Sequence, residues 1–267
     1  MNKLSVFTTM TNPEKRNDPW TEALNCYEEL ADELIIVGEE WPDEFRWDHI
    51  GKTFQKGFDK CSGDWVIRMD LDYFFHEKNF SQIKKILYKN IDSPAIAFPQ
   101  YQFFTPDRFQ IKTKICIALN KKHFPNIKLN GGGDLCLPTL NGNLIKNNLV
   151  PQSRIPVYQY DSVFRTKEII SSDRARFARA WYSYFEDWGD RGGPSEKEAY
   201  EAWFKMIKER YKFHTNKINM DKHPKFIKDS LKSLNPDQFG YDAFGLKNVT
   251  SRSFYSYLKG YKNRYFD

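Results

Sequence analysis

The stretch "WVIRMDLDYFFHE", Trp65 to Glu77, decides how this chain is read. An apolar run ends on Asp70 and Asp72, with one leucine between them. A carboxylate is costly to bury without a partner. Such a run is therefore either leaving the core for a polar loop or delivering ligands to a cleft. The upstream order separates the two. "KLSVFTTM" (3–10) reads as a first strand. Asp18 is the expected N-cap and Pro19 the expected first residue of a helix whose apolar face is Trp20, Ala23, Leu24, Tyr27 and Leu30. "ELIIVG" (33–38) is short and continuously apolar, as a strand covered on both faces should be. From Asp48 a second helix carries Ile50, Phe54, Phe58 and Cys61 on one face and stops at Gly63. The order β-α-β-α-β predicts a doubly wound, mainly parallel sheet. Ligands of such sheets sit outside the carboxyl ends of the strands. Thr8, Thr9, Glu39, Asp70 and Asp72 are then expected around one crevice. No G-x-G-x-x-G follows the first strand, which argues against an ordinary dinucleotide fold.

Beyond a short helix near Ser81–Tyr88, "AIAFPQYQFF" is strand-like, and Phe109 to Asn120 alternates apolar and polar residues. That alternation predicts a half-buried strand in a smaller antiparallel part of the sheet. "LNGGGDLCLP" (129–138) is a loop whose glycines free the backbone before Asp134. "IPVYQYDSVF" (155–164) is the last expected strand. A helical region follows, with an aromatic stripe at Phe177, Trp181, Phe185 and Trp188. A capping box at Ser195 and Glu198 then opens a helix with a second stripe, Tyr200, Trp203, Phe204, Ile207 and Tyr211. The expected division is an α/β core over 1–165 and a helical C-terminal region over 166–267.

With 267 residues, 40% hydrophobic and 28% charged, the composition is that of a globular protein. A net charge of +6 is compatible with a polyanionic or phosphorylated ligand. The basic residues are dispersed, so a nucleic-acid partner is not expected. The terminal "YLKGYKNRYFD" reads as a solvated helix end or as a peripheral contact for a membrane surface or polyanion. Cys26, Cys61, Cys116 and Cys136 show no C-x-x-C spacing and are expected to be buried, reduced thiols. "MNKLSVFTTM" lacks a long apolar segment, and no run approaches the roughly 20 apolar residues of a membrane span, so a cytoplasmic location is expected.

Hard cations such as Mn²⁺ and Mg²⁺ take oxygen ligands and keep waters and substrate phosphates in their shell, so one or two protein carboxylates suffice. A fold without a glycine-rich phosphate loop needs another way to neutralise a diphosphate, and a metal supplies it. The stretch "GKTFQKGFDKCSGDWVIRMDLDYFFHE" resembles the family 2-like glycosyltransferases of the GT-A fold. Their pattern is N-x-G-x-x-x-A-x-G-[DE]-[WY], an apolar strand, then D-x-D. Gln55, Gly57, Cys61, Gly63, Asp64 and Trp65 occupy those places, with Gln for Asn and Cys for Ala. "DYFFHE" is similar to the "DEVLHE" of one branch, and "VYQYDSVFRTKEII" to its "HYGWVR" segment, with Gln159 where that branch has a His that can bind metal. The resemblance covers roughly residues 3–170.

It implies a metal-dependent transferase that moves a sugar from a nucleotide-diphosphate sugar to a carbohydrate or glycoconjugate hydroxyl, with inversion. Asp70 and Asp72, with Gln159 as third ligand, would hold the metal and the donor. Thr8, Thr9 and Glu39 would line the base and ribose, His49 and Lys52 would reach the base or phosphate, and Arg165 and Lys167 would clamp the diphosphate. An inverting transfer needs a carboxylate base. Asp134 is the first candidate and Asp161 the second; a turn role for Asp134 carries similar weight. His76 and Glu77 would help close the site or cap a helix. The competing functions are a nucleotide- or glycan-binding module that lost the chemistry, for which Gln159 speaks, and a sugar nucleotidyltransferase. The latter needs a glycine-rich basic loop, and "TTMTNPEKRND" has Lys15 and Arg16 but no glycine.

Overall fold

The computed structural model describes residues 3–129 and 136–249, together with Leu258. β1 (Leu4–Thr9), α1 (Trp20–Leu30), β2 (Glu33–Val37), α2 (Asp48–Lys60) and β3 (Trp65–Arg68) follow in the expected order, and β1 pairs in parallel with both β2 and β3. Every residue of β1 is buried, as a central strand covered on both faces requires. The glycines before the D-x-D have steric reasons. A Cβ on Gly57 would lie 2.4 Å from the Phe7 ring, so α2 reaches β1 only with no side chain there. A Cβ on Gly63 would lie 2.5 Å from Ser5 Oγ, whose hydroxyl accepts the Gly63 N–H at 2.8 Å.

β4 (Tyr73–Phe74), α3 (Phe80–Lys89), β5 (Ala95–Thr105) and β6 (Arg108–Asn120) come next. β7 (Ile127–Lys128), β8 (Thr139–Leu140) and β9 (Asn143–Leu144) form a small antiparallel sheet, and β10 is Val157–Gln159. The main sheet runs β2-β1-β3-β6-β5-β10-β4. β6 is antiparallel to β3 and β5, β10 is parallel to β5, and β4 is antiparallel to β10. The chain is thus α/β, doubly wound, with a parallel half, an antiparallel part and helices, as expected. The expected strand over 155–164 shortens to β10, because the chain turns at Tyr160, whose N–H bonds the Asp72 carbonyl at 2.9 Å, and Ser162 adopts φ 57°.

This order forces the sheet to curl. A flat sheet would separate β3 from β4 by four spacings, about 19 Å. The link Arg68–Tyr73 reaches at most about 18 Å fully extended, and it contains a turn. Register shifts along β5 and β6 supply the bend. The link that closes the curl is Asp70–Leu71–Asp72. Its turn is held by the Tyr73 N–H on the Asp70 carbonyl at 2.8 Å and by buried Tyr27, whose hydroxyl lies 2.6 Å from the Asp70 carbonyl and 2.9 Å from that of Tyr73.

α4 (Lys167–Phe185) starts at Thr166, whose hydroxyl accepts from Ile169 N–H. α5 (Glu196–Tyr211) carries the expected capping box. β11 (Asn216–Lys217) adds to β6. α6 (Lys228–Lys232), α7 (Phe239–Asp242) and α8 (Leu246–Val249) follow. Packing crosses residue 165: Ile227 and Leu231 join the core of the main sheet, and Phe104 packs with Trp203, Ile207 and Phe239. The stripe on α5 is core, as its helical spacing suggested. All four cysteines are buried, and burial pushes the thiols of Cys26 and Cys61 up to about 12. Among the described residues, no helix is long and apolar enough to cross a membrane.

Candidate active site

A cleft of about 260 Å³ opens where the ends of β1, β3 and β10 meet α4. Asp70 and Asp72 line it with Thr9, Gln159, Asp161 and Arg165. Five further side chains come from places with no motif: Arg16 and Asp18 from the loop after β1, Trp41 from the loop after β2, and Asp173 and Arg174 from α4.

The charges fall into two sets. In the first, carboxylates are neutralised within the fold. Arg165 Nε and Nη2 donate to Asp18 Oδ1 at 3.0 and 2.5 Å, and its Nη1 donates to Asp173 Oδ2 at 3.1 Å. Arg16 Nε lies 3.3 Å and Arg176 Nη2 2.8 Å from Asp173 Oδ1. Burial alone would raise the Asp173 carboxyl; Arg16, Arg165, Arg174 and Arg176 outweigh it and hold it well below the usual carboxylate range. Burial works likewise against the Arg165 cation, and Asp18 and Asp173 raise it further than burial lowers it.

The second set is the turn that closes the sheet. Asp72, half-buried in the cleft wall, has its carboxyl pushed up to about 7, first by burial and then by Asp70, Asp161 and Asp18, against which Arg165 acts. Among the described residues, Arg68 is the cation in ion-pair range of Asp70, at 3.6 Å. Two neighbouring carboxylate side chains are oxygen donors of the kind a hard cation takes. Among the described residues, no three His, Cys, Asp or Glu side chains converge to hold one unaided.

Asp161, one of the two base candidates, is held by its neighbours. Gln102 Nε2 donates to its Oδ2 at 3.0 Å, Ser162 Oγ donates to its Oδ1 at 3.1 Å, and Arg174 Nη2 lies 3.8 Å away. Burial raises its carboxyl, and Arg174, Lys112, Arg165 and Arg210 together hold it below the usual range. Asp134 lies outside the described residues. The described residues flanking its loop, Leu129 and Cys136, line a second chamber of about 450 Å³ that shares Asp70, Phe54 and Phe177 with the cleft. Gln55, at the place of the family's Asn, accepts the Leu129 N–H at 2.7 Å and so ties the start of that loop to α2. Gln159 Oε1 faces Lys112 Nζ at 3.4 Å, and burial lowers the Lys112 ammonium, with Asp161 opposing.

Other expected residues spread out. Thr8 is buried in β1, and its Oγ1 has no hydrogen-bond partner. Glu39 is exposed on a neighbouring open cavity of about 640 Å³, which Trp41 shares with the cleft. His49 packs edge-on to Trp41 at 4.7 Å, and burial lowers its imidazole. Lys52 is exposed and paired with Asp48 at 2.7 Å. Lys167 sits outside the cleft, 4.9 Å over the Tyr200 ring. His76 and Glu77 are away from the cleft: His76 caps the turn at Glu77–Asn79, and Glu77 accepts the Lys225 N–H at 3.0 Å. Asp18 does not cap α1, which begins at Trp20 after Pro19 without a side-chain cap; a charge-assisted bond to Arg165 outcompetes a capping bond.

Sequence reasoning missed Arg16, Trp41, Asp173 and Arg174. One signal was present. Ile170, Asp173, Arg174, Phe177 and Trp181 recur at helical spacing, so a carboxylate and a guanidinium interrupt an otherwise apolar face.

Fold and site together define an α/β chain with a mixed, curled sheet whose Asp70–Leu71–Asp72 turn opens on a cleft lined by aspartates and arginines. No protein-family model and no curated protein matches the chain. Among solved structures, S. aureus TarS 1-349 is similar, with 12% identity over 97% of this chain and 92% of that chain and a TM-score of 0.37.

Proposed function

We propose that the protein is a metal-dependent glycosyltransferase, transferring a sugar with inversion from a nucleotide-diphosphate sugar to a carbohydrate or glycoconjugate hydroxyl. The observation that carries this is the crowding of carboxylates around Asp72, with Asp70 and Asp161 beside it at the carboxyl end of β3, next to arginines already paired with Asp18 and Asp173. Asp70 and Asp72 would hold Mn²⁺ or Mg²⁺, and the bound ion would neutralise charge on the departing diphosphate. Gln159 lines the same cleft and would offer its amide oxygen in competition with Lys112. Arg165, bonded to Asp18 and Asp173, would fix the cleft wall against which the donor sits. Trp41, between the cleft and the cavity of Glu39, offers a buried indole N–H with no partner to the nucleoside. For the base we favour Asp134. Asp161 is kept anionic by its neighbours and bonded on both oxygens, which suits orienting a substrate more than taking its proton.

Mn²⁺-dependent binding and hydrolysis of a panel of nucleotide sugars tests the reading. Wild type should bind and slowly hydrolyse at least one of them, and Asp72→Ala should lose at least tenfold in both. Equal behaviour of the two proteins, or no metal-dependent nucleotide binding by either, would overturn it.

A further inference from the structure

A third cavity, of about 230 Å³, lies between α4 and α5. It shares Arg174 and Phe177 with the cleft, so these two side chains form the partition between a ligand held here and the D-x-D turn. Small residues on α5, Ala199 and Ala202, keep it open. Aromatic rings wall it, from Trp47, Phe177 and Trp203.

Its polar groups are almost all donors. Trp203 is 4% exposed, and its indole N–H has no hydrogen-bond partner among the described residues. Arg174 lies 5.6 Å over the Trp203 ring, and its buried Nε also lacks a partner. Arg210 reaches the rim from the exposed side of α5, with no carboxylate in ion-pair range among the described residues. Arg191 stacks 3.7 Å from the Trp181 ring and pairs with Asp190 at 2.8 Å, and Asp190 is the carboxylate of the lining. A buried donor without a partner costs about 1–3 kcal/mol. Two of them in one wall, Trp203 and Arg174, are best explained by a ligand that accepts. Aromatic faces suit the apolar face of a sugar ring, and guanidinium groups suit a phosphate or carboxylate.

We propose that this cavity binds the acceptor substrate through an anionic group, a phosphate or carboxylate carried next to the sugar that presents the reacting hydroxyl. The proposal rests on the glycosyltransferase reading for the word acceptor, and on the cavity alone for the anion. It agrees with the net charge of +6.

Calorimetric titration with glucose, glucose 6-phosphate and glucuronate tests it, on the full chain and on Arg210→Glu and Arg210→Lys. Arg210 is exposed, so both variants should fold, as their circular dichroism and Tm will show. The expected result is that at least one anionic sugar binds tenfold or more tighter than glucose. Arg210→Glu should abolish that preference and Arg210→Lys restore part of it. The better probe of the two separates a phosphate-bearing from a uronic-acid acceptor. Equal binding of all three sugars overturns the proposal, as does an Arg210→Glu protein that keeps the preference. So does displacement of the sugar by saturating nucleoside diphosphate and Mn²⁺, which would make the cavity part of the donor cleft. Failure of the donor reading appears elsewhere, as loss of any difference between wild type and Asp72→Ala in nucleotide binding.

Discussion

Asp173 and Asp72 line the same cleft and meet opposite surroundings. Asp173, on α4, is buried among arginines, and its carboxyl is held well below the usual range. Asp72, on the turn after β3, faces other carboxylates and is pushed up to about 7. The difference lies in what each carboxylate was given by the chain. Asp173 has Arg16, Arg165 and Arg176 within ion-pair distance, so its charge is spent on joining the loop after β1, the segment after β10 and α4. Among the described residues no cation lies within ion-pair distance of Asp72, and Asp70, Asp161 and Asp18 outweigh the pull of Arg165 on it.

Removing Asp173 should break the comparison most severely. Asp173→Ala leaves Arg16, Arg165 and Arg176 facing one another, and loss of one partner from a buried network costs about 3–5 kcal/mol. Urea unfolding should show that loss at pH 7.5. A loss under about 1 kcal/mol would mean that the network is decoration on a wall held by Phe177 and Trp47.

Acidification should act next, with opposed contributions. Asp72, its folded-state carboxyl raised to about 7, binds its proton in the folded chain before the unfolded one does. It therefore adds stability as pH falls from about 7 toward 4, partly offsetting the losses at the histidines. Asp173, with its folded-state pKa depressed, contributes stability present above the unfolded value near 4 and lost only as pH falls through its lower folded value. Buried His223 behaves differently. Its Nε2–H donates to the Pro106 carbonyl at 2.9 Å and its Nδ1 accepts from the Tyr160 hydroxyl at 2.7 Å, so it is neutral. Burial lowers it to about 4, and lowers His214 to about 3. The unfolded chain takes up these protons below about 6.5 while the folded chain does not, so stability falls as pH drops from there. Unfolding at pH 7.5 and pH 5.0 should differ by about 1–2 kcal/mol per histidine, and His223→Gln should flatten its share. An unchanged pH dependence in that variant would assign the acid limb elsewhere.

The smallest effect sharpens the contrast. Asp72→Asn removes a repelled charge, so in the absence of metal it should unfold no more easily than wild type, with a gain on the order of 1 kcal/mol after solvent screening. A marked loss of stability would show that Asp72 is as structural as Asp173.

The parts of this picture legible in the sequence are local or periodic. β-α-β-α-β came from the spacing of apolar residues, the antiparallel strand from the alternation over Phe109–Asn120, and the α5 start from Ser195 and Glu198. Asp70 and Asp72 stood out because a strand end is visible within a few residues, and Gly57 and Gly63 because close packing leaves glycine no substitute there. Where local chemistry and distant chemistry competed, the local reading failed. Asp18 before Pro19 has every sign of a cap, yet it serves Arg165, 147 positions along. His76 and Glu77 follow the D-x-D in sequence, yet β4 turns the chain away to pair with β10.

The sequence by itself determined the strand that ends on two carboxylates and the helices that cover it. Those depend on backbone geometry repeating every two or 3.6 residues, which a linear string displays. Only the tertiary structure decided which carboxylates are neutralised. Ion pairs form between segments that meet when the sheet curls, and no periodicity in the chain records that Arg16, Asp18, Arg165 and Asp173 share one wall while Asp72 faces mainly other carboxylates.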